Sequence, residues 1–209
     1  MKIVYLFDIV CPWCFIGKKY FDNISNVIRS KIVEITWQPY FLNPDFGIEG
    51  VDRKEYLEKK FGSKENANII YDNLVSTGKK VNIKFNFDSI KIMPNSLNIM
   101  YLITLIKDYK SASKFIDQLF KAFFEKGENI GDNKVLEKYA IKNFENFDLK
   151  VLDNEKNKSF LLQADKQFKI KVVKGVPGII VNKKHFISGA VEPAKLKTLF
   201  NKINLGSFN

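Results

Sequence analysis

Lys2-Ile3-Val4-Tyr5-Leu6-Phe7-Asp8-Ile9-Val10-Cys11-Pro12-Trp13-Cys14 decides the fold. Lys2 to Phe7 is a short, nearly continuous apolar run, the pattern of a strand buried on both faces. Two cysteines follow at once in a C-x-x-C spacing, and Pro12 between them suits the first turn of a helix, where its missing N–H costs nothing. Beyond them Ile16, Tyr20, Ile24, Val27 and Ile28 recur at helical spacing. Val33, Ile35 and Trp37 then alternate with polar residues, as in a second strand. Strand, helix and strand of these lengths predict a right-handed βαβ unit with parallel strands.

Outward from that unit the period changes. Asn43-Pro44-Asp45 and the stretch from Gly47 to Gly50 read as a loop. Helices are expected from near Asp52 and near Lys64, and again after Pro94-Asn95-Ser96, with Asn95 or Ser96 as cap. Phe115, Ile116, Leu119, Phe120 and Phe123 form an apolar stripe, read as core. Gly131-Asp132-Asn133 precedes another helix, and a further one is expected between about Asn154 and Phe168. At the end of the chain Gly175-Val176-Pro177-Gly178 is a turn and Ile179-Ile180-Val181 a strand. Asn182-Lys183-Lys184 connects it to a returning strand, His185 to Ser188, and Pro193 opens a last helix. The predicted fold class is therefore α/β: a thioredoxin fold with a large helical insertion between the second and third strands of the sheet. Residues 1–50 and 150–209 are expected to form the thioredoxin-like domain, and 51–149 the inserted helical domain.

Composition narrows the function. The 209 residues include only two cysteines and one histidine. A structural zinc site normally needs four Cys or His ligands, so no metal is expected. A disulfide closing four residues constrains the unfolded chain too little to be a structural framework. A redox pair remains. The formal charge of +11 arises from 34 basic and 23 acidic residues. Pairs such as Lys18-Lys19, Lys59-Lys60 and Lys79-Lys80 are scattered along helices and no nucleic-acid motif accompanies them, so a solvated basic surface is expected and no nucleic-acid partner. No apolar run is long enough to span a bilayer and the opening residues read poorly as a signal peptide. A soluble, cytoplasmic protein without a membrane partner is the expectation.

The nucleophile in disulfide exchange is a thiolate, and a free cysteine is mostly protonated at neutral pH. At a helix N-terminus, unpaired N–H groups and the helix dipole favour the anion. Cys11 is therefore read as the attacking thiol and Cys14, one turn further on, as the resolving thiol. Asp8 is a candidate proton relay for Cys14. Pro12 and Trp13 set the surroundings of the sulfurs, with Trp13 either contacting substrate or packing against the insertion. Val176-Pro177 is the place for a cis peptide, one that presents the Val176 backbone to an extended substrate. His185 is read as a strand residue without a catalytic part.

Asp8 to Lys18, Trp37 to Pro44, Glu49 to Arg53, Tyr56-Leu57, Lys60-Phe61-Gly62, Pro94-Asn95-Ser96, Gly175-Val176-Pro177 and Ser188-Gly189-Ala190 occur in one order along nearly the whole chain. This series resembles the FrnE-like proteins of the DsbA family. The resemblance implies a thioredoxin fold with an inserted helical domain, a cis Pro177, and dithiol–disulfide exchange through Cys11 and Cys14. No resident cofactor is implied. Protein or small-molecule thiols and disulfides are the expected partners, glutathione among them. The related 2-hydroxychromene-2-carboxylate isomerases and kappa-class glutathione transferases commonly carry serine where Cys11 stands. They supply the alternative reading, a glutathione-dependent isomerase or transferase acting on a small aromatic substrate. A third reading is a non-catalytic chaperone. Three positions depart from the family pattern: Ser96 stands for a threonine, Met100 for a histidine four residues on, and Gly178 for a larger or hydroxyl residue.

Overall fold

The computed structural model describes residues 1–171 and 175–206. Its centre is a four-stranded sheet in the order β2-β1-β5-β6. Strand β1 (Lys2–Phe7) runs parallel to β2 (Glu34–Pro39), with Ile3 opposite Ile35 and Tyr5 opposite Trp37. On its other side β1 is antiparallel to β5 (Gly178–Val181), which pairs with the edge strand β6 (His185–Ser188). Between β5 and β6 Asn182 and Lys183 have φ of +53° and +60°, and the Lys184 N–H reaches the Val181 carbonyl at 3.1 Å. That is the turn whose twist matches a hairpin.

Helix α1 (Pro12–Val27) links β1 to β2, and α8 (Pro193–Asn204) closes the chain on the same layer, packing Phe200 near Phe21. Proline at the first helical position begins both helices. Between β2 and β5 come α2 (Arg53–Phe61), α3 (Lys64–Lys79), α4 (Leu97–Leu105), α5 (Tyr109–Phe124), α6 (Asn133–Ala140) and α7 (Glu155–Lys171). Asp52, Ser63, Asp108 and Asp132 cap α2, α3, α5 and α6 through their side chains. At α4 the chain divides the labour. Ser96 occupies the cap position without a side-chain capping bond, and Asn95 Oδ1 accepts from the Leu97 N–H at 2.8 Å. The stretch is not purely helical: β3 (Val51–Asp52) pairs antiparallel with β4 (Ile92–Met93). No helix among the described residues is long and apolar enough to cross a membrane. The range 150–209 assigned to the thioredoxin-like domain includes 172–174 and 207–209, which lie outside the described residues.

One aromatic core joins the layers. The α5 stripe Phe115, Ile116, Leu119, Phe120 and Phe123 is fully buried. Phe120 stacks on Phe15 of α1 at 4.9 Å, and Trp37 meets Tyr5 edge-on at 5.2 Å. Three details depart from the sequence reading. Val27 and Val33 are exposed, because the apolar face of α1 ends at Ile24 and β2 begins only at Glu34. Lys18 is not on a solvated face: it is completely buried, with Nζ 2.7 Å from Asp22, 2.8 Å from Ser113 and 3.2 Å from Asp117. Lys19, its neighbour, pairs with Asp117 at 3.0 Å.

Candidate functional site

The junction of β1 and α1 builds the site. The Cys11 N–H donates to the Asp8 carbonyl at 3.1 Å, turning the chain out of the strand, and Cys11 becomes the N-cap of α1. No side chain caps this helix, so its first-turn N–H groups surround the cysteine end with positive dipole. Both cysteines are free thiols. Cys11 is 6% exposed and Cys14 is fully buried. The Cys11 thiol points at the Val176 carbonyl oxygen, 3.8 Å from Sγ. The Val176–Pro177 peptide is cis. The turn before β5 thus faces the first cysteine.

Close approach here depends on Gly17. A methyl group at that position would lie 2.7 Å from Pro177 Cγ and 3.0 Å from the Tyr5 hydroxyl, so α1 can only pack here with a bare Cα. Gly178, by contrast, faces the Phe186 ring, whose Cε2 would lie 2.9 Å from a methyl group at that position. The ring fills the space that a larger residue would take.

Asp8 is the second buried group. Its carboxylate accepts from the Leu42 N–H at 2.8 Å and the Val10 N–H at 3.3 Å, and Ser96 adds a hydroxyl bond. These bonds favour the charged form, but burial outweighs them and raises the carboxyl from 3.8 to about 6. Burial also pushes the Cys14 thiol well above the ordinary range, reinforced by Cys11 and by the negative charge of Asp8. Two neighbouring acids, one a carboxyl poised near neutrality and one a reluctant thiol, are therefore held together beneath Cys11. Ser96 stands in for threonine in the resemblance and retains its hydroxyl on Asp8. Met100 is buried within α4.

Above Cys11 lies a cleft of about 270 Å³. Pro12, Trp13 and Leu42 form its floor side, and residues of α2, α3 and the segment before β4 form the opposite wall, including Arg53, Tyr71 and Phe87. Of the residues read from the sequence, Asp8, Cys11, Cys14, Val176 and Pro177 come together at one sheet end, and Pro12 and Trp13 line the cleft. His185 stands at the far end of the β5–β6 hairpin, opposite Val181. The sequence reading missed Arg53, a 9% exposed cation in the cleft wall. It also missed Tyr5, whose buried hydroxyl has no hydrogen-bond partner among the described residues and is raised well above the usual phenol range by burial and by Cys14. A buried, neutral phenol beside a C-x-x-C, in the middle of β1, has no signature beyond its position.

A family model described as a DSBA-like thioredoxin domain matches residues 2–201. The uncharacterized protein YwbO of Bacillus subtilis is 27% identical over 133 residues, 64% of this chain. The chain spans 61% of the length of that curated relative. Among solved structures, a probable DsbA oxidoreductase from Streptomyces coelicolor superposes with a TM-score of 0.83 at 19% identity, covering 100% of this chain and 92% of that one. A 2-hydroxychromene-2-carboxylate isomerase gives 0.72 at 12% identity, covering 99% and 97%. The cytosolic disulfide reductase DsbM from Pseudomonas aeruginosa gives 0.67 at 11% identity, covering 99% of both chains. At these identities the likeness is one of fold.

Proposed function

Because the chain belongs to the DSBA-like thioredoxin domain family, we propose that it is a thiol–disulfide oxidoreductase working through Cys11 and Cys14. The observation that carries the reading is the Cys11 sulfur at an otherwise uncapped helix N-terminus, opening on a cleft, with a buried second thiol three residues on. In the reducing direction the Cys11 thiolate attacks one sulfur of a substrate disulfide. A mixed disulfide forms and the other substrate sulfur leaves as thiolate. Cys14 then loses its proton and attacks the Cys11 sulfur, closing the Cys11–Cys14 disulfide and expelling the second substrate thiolate. Two electrons pass from the dithiol to the substrate, and the reverse sequence oxidises a dithiol.

Burial opposes ionisation of the Cys14 thiol, so this step calls for a nearby proton acceptor. Asp8, with its carboxyl near 6, is suited to receive that proton. The Val176 carbonyl, beside Cys11, is placed to pair with the backbone of a bound peptide. Pro12 and Trp13 contact the substrate from the cleft. The substrates are protein or small-molecule disulfides and thiols. Glutathione is one of them, by analogy with DsbM, a relative in fold solved with glutathione. No resident cofactor is needed, and the setting is cytoplasmic.

The test uses two variants. Cys11→Ser is expected to abolish reduction of insulin disulfides. Cys14→Ser is expected to accumulate a mixed disulfide at Cys11, seen as a stable mass adduct. Full turnover by Cys11→Ser would reject the proposal. The aromatic walls of the cleft favour a second reading, a glutathione-dependent isomerase or transferase for a small aromatic substrate. It predicts that turnover survives Cys14→Ala, since isomerisation needs no resolving thiol.

A further inference from the structure

The cleft over Cys11 has a chemical character that disulfide exchange alone does not require. Fifteen residues line it, and none is Asp or Glu. The two charges are both positive, Arg53 deep in the wall and Lys60 at the exposed rim. The rest is apolar or aromatic. Arg53 is held with its guanidinium carbon 5.1 Å from the centre of the Tyr71 ring and 5.7 Å from that of Phe87, rings that stack on each other at 4.2 Å. Its Nη1 donates to the sulfur of Met93 at 3.4 Å, and Tyr71 supplies a further hydrogen-bond partner. Tyr71, Phe87 and Met93 all line the same cleft as Cys11, so the charged end of Arg53 lies among residues of that cleft. A thioether is a weak acceptor, and a guanidinium has five donors in a flat fork suited to a carboxylate. A neighbouring hollow also touches Arg53 and Phe87, but there Asp52, Glu58 and Asp88 balance Arg53, Lys54 and Lys91, so it has none of the unopposed positive charge of the cleft over Cys11.

Resting on the oxidoreductase reading, we propose that the cleft selects a small disulfide or thiol whose sulfur is attached to a flat apolar body bearing a carboxylate. The body lies against Trp13, Tyr71 and Phe87, and the carboxylate pairs with Arg53. At about 270 Å³ the space is near the lower end of small-ligand pockets, about 300–1,000 Å³, and accepts one half of an aromatic disulfide. The disulfide itself is the oxidant. Cys11 takes one aryl thiol into a mixed disulfide and releases the other as thiolate. Closure with Cys14 releases the second, so two aryl thiolates appear per protein dithiol.

Two probes separate charge from reactivity. 5,5′-Dithiobis(2-nitrobenzoate) carries a carboxylate on each ring, and 4,4′-dithiodipyridine is uncharged at pH 7.5. Arg53→Gln is expected to slow the first at least about tenfold, the scale of one charge-assisted hydrogen bond, and to leave the second within about twofold. Lys59→Gln removes the same charge from the exposed side of α2, outside the cleft, and leaves both rates within about twofold, which controls for the net charge of the protein. Equal slowing of both probes by Arg53→Gln, or none, overturns the proposal. A measurement on cleft-intact protein covers the event that Arg53→Gln does not fold. Benzoate, but not benzamide, is expected to slow alkylation of Cys11 by iodoacetamide in Cys14→Ser, and equal effects of the two overturn the proposal. Failure of the oxidoreductase reading looks different: one aryl thiolate is released instead of two, with either probe.

Discussion

Replacing Asp8 by Asn tests the electrostatics of the site in isolation from substrate. Asp8 is fully buried and its carboxyl is raised from 3.8 to about 6, burial being the dominant cause. An acid raised on folding binds its proton more tightly in the native state. Its contribution is therefore fully present below the unfolded pKa near 4 and is lost as pH rises through about 6. The difference of about two pK corresponds to about 3 kcal/mol at 1.36 kcal/mol each. Asn cannot ionise. Its amide can keep one of the two backbone bonds to Leu42 and Val10, and turning an NH₂ towards the other donor costs about 1 kcal/mol at every pH. The variant is thus expected to be less stable than the native protein by about 0.5 kcal/mol at pH 4, where about half of the unfolded carboxyls are already ionised, and more stable by about 2 kcal/mol at pH 8. Urea denaturation of the reduced proteins at both pH values measures this, and all groups common to both chains cancel in the difference. A stability difference that is the same at pH 4 and pH 8, within about 0.5 kcal/mol, would refute the burial argument for Asp8. The same variant is expected to release substrate from the Cys11 mixed disulfide about a hundredfold more slowly if Asp8 takes the Cys14 proton.

Further substitutions probe the frame. Lys18→Met leaves Asp22 without its buried partner, while the partly exposed Asp117 keeps Lys19, and should cost about 1–3 kcal/mol in urea unfolding. The loss should be larger at pH 8 than at pH 5, since burial already raises Asp22, so that protonation relieves the unpaired charge at the lower pH. Gly17→Ala pushes a methyl group onto the Pro177 ring and should destabilise by about 1–3 kcal/mol while slowing thiol exchange. Gly178→Ala meets only the edge of the half-buried Phe186 ring, which can swing away, and should cost below about 1 kcal/mol. A Gly178→Ala loss larger than that of Gly17→Ala, by thermal denaturation, would refute this ordering.

The sheet and the cysteine junction were legible because each leaves a local trace. A buried run, a proline at the first helical position and a change of period locate β1, α1 and the β5–β6 hairpin to within a residue or two. The position of Val176-Pro177 opposite Cys11 was inferred from layout. What stayed hidden are features made by residues far apart in sequence. Lys18 reads as half of a surface lysine pair, and only the return of α5, about a hundred residues later, supplies Ser113 and Asp117 to bury it. Asp8 depends on Leu42 and Ser96 in the same way. The Arg53 wall needs three segments to converge, while β3 and β4, two residues each, are too short to show any period.

The site is stitched from two sources that share little backbone. The sulfurs and the Val176 carbonyl ride on β1, α1 and the turn into β5, while the wall that a substrate must slide past rides on α2, α3 and the approach to β4. Under the proposed function, exchanges in that wall change which molecules gain entry while the Cys11–Cys14 pair keeps its footing, so that reactivity and admission are adjustable by separate sets of residues.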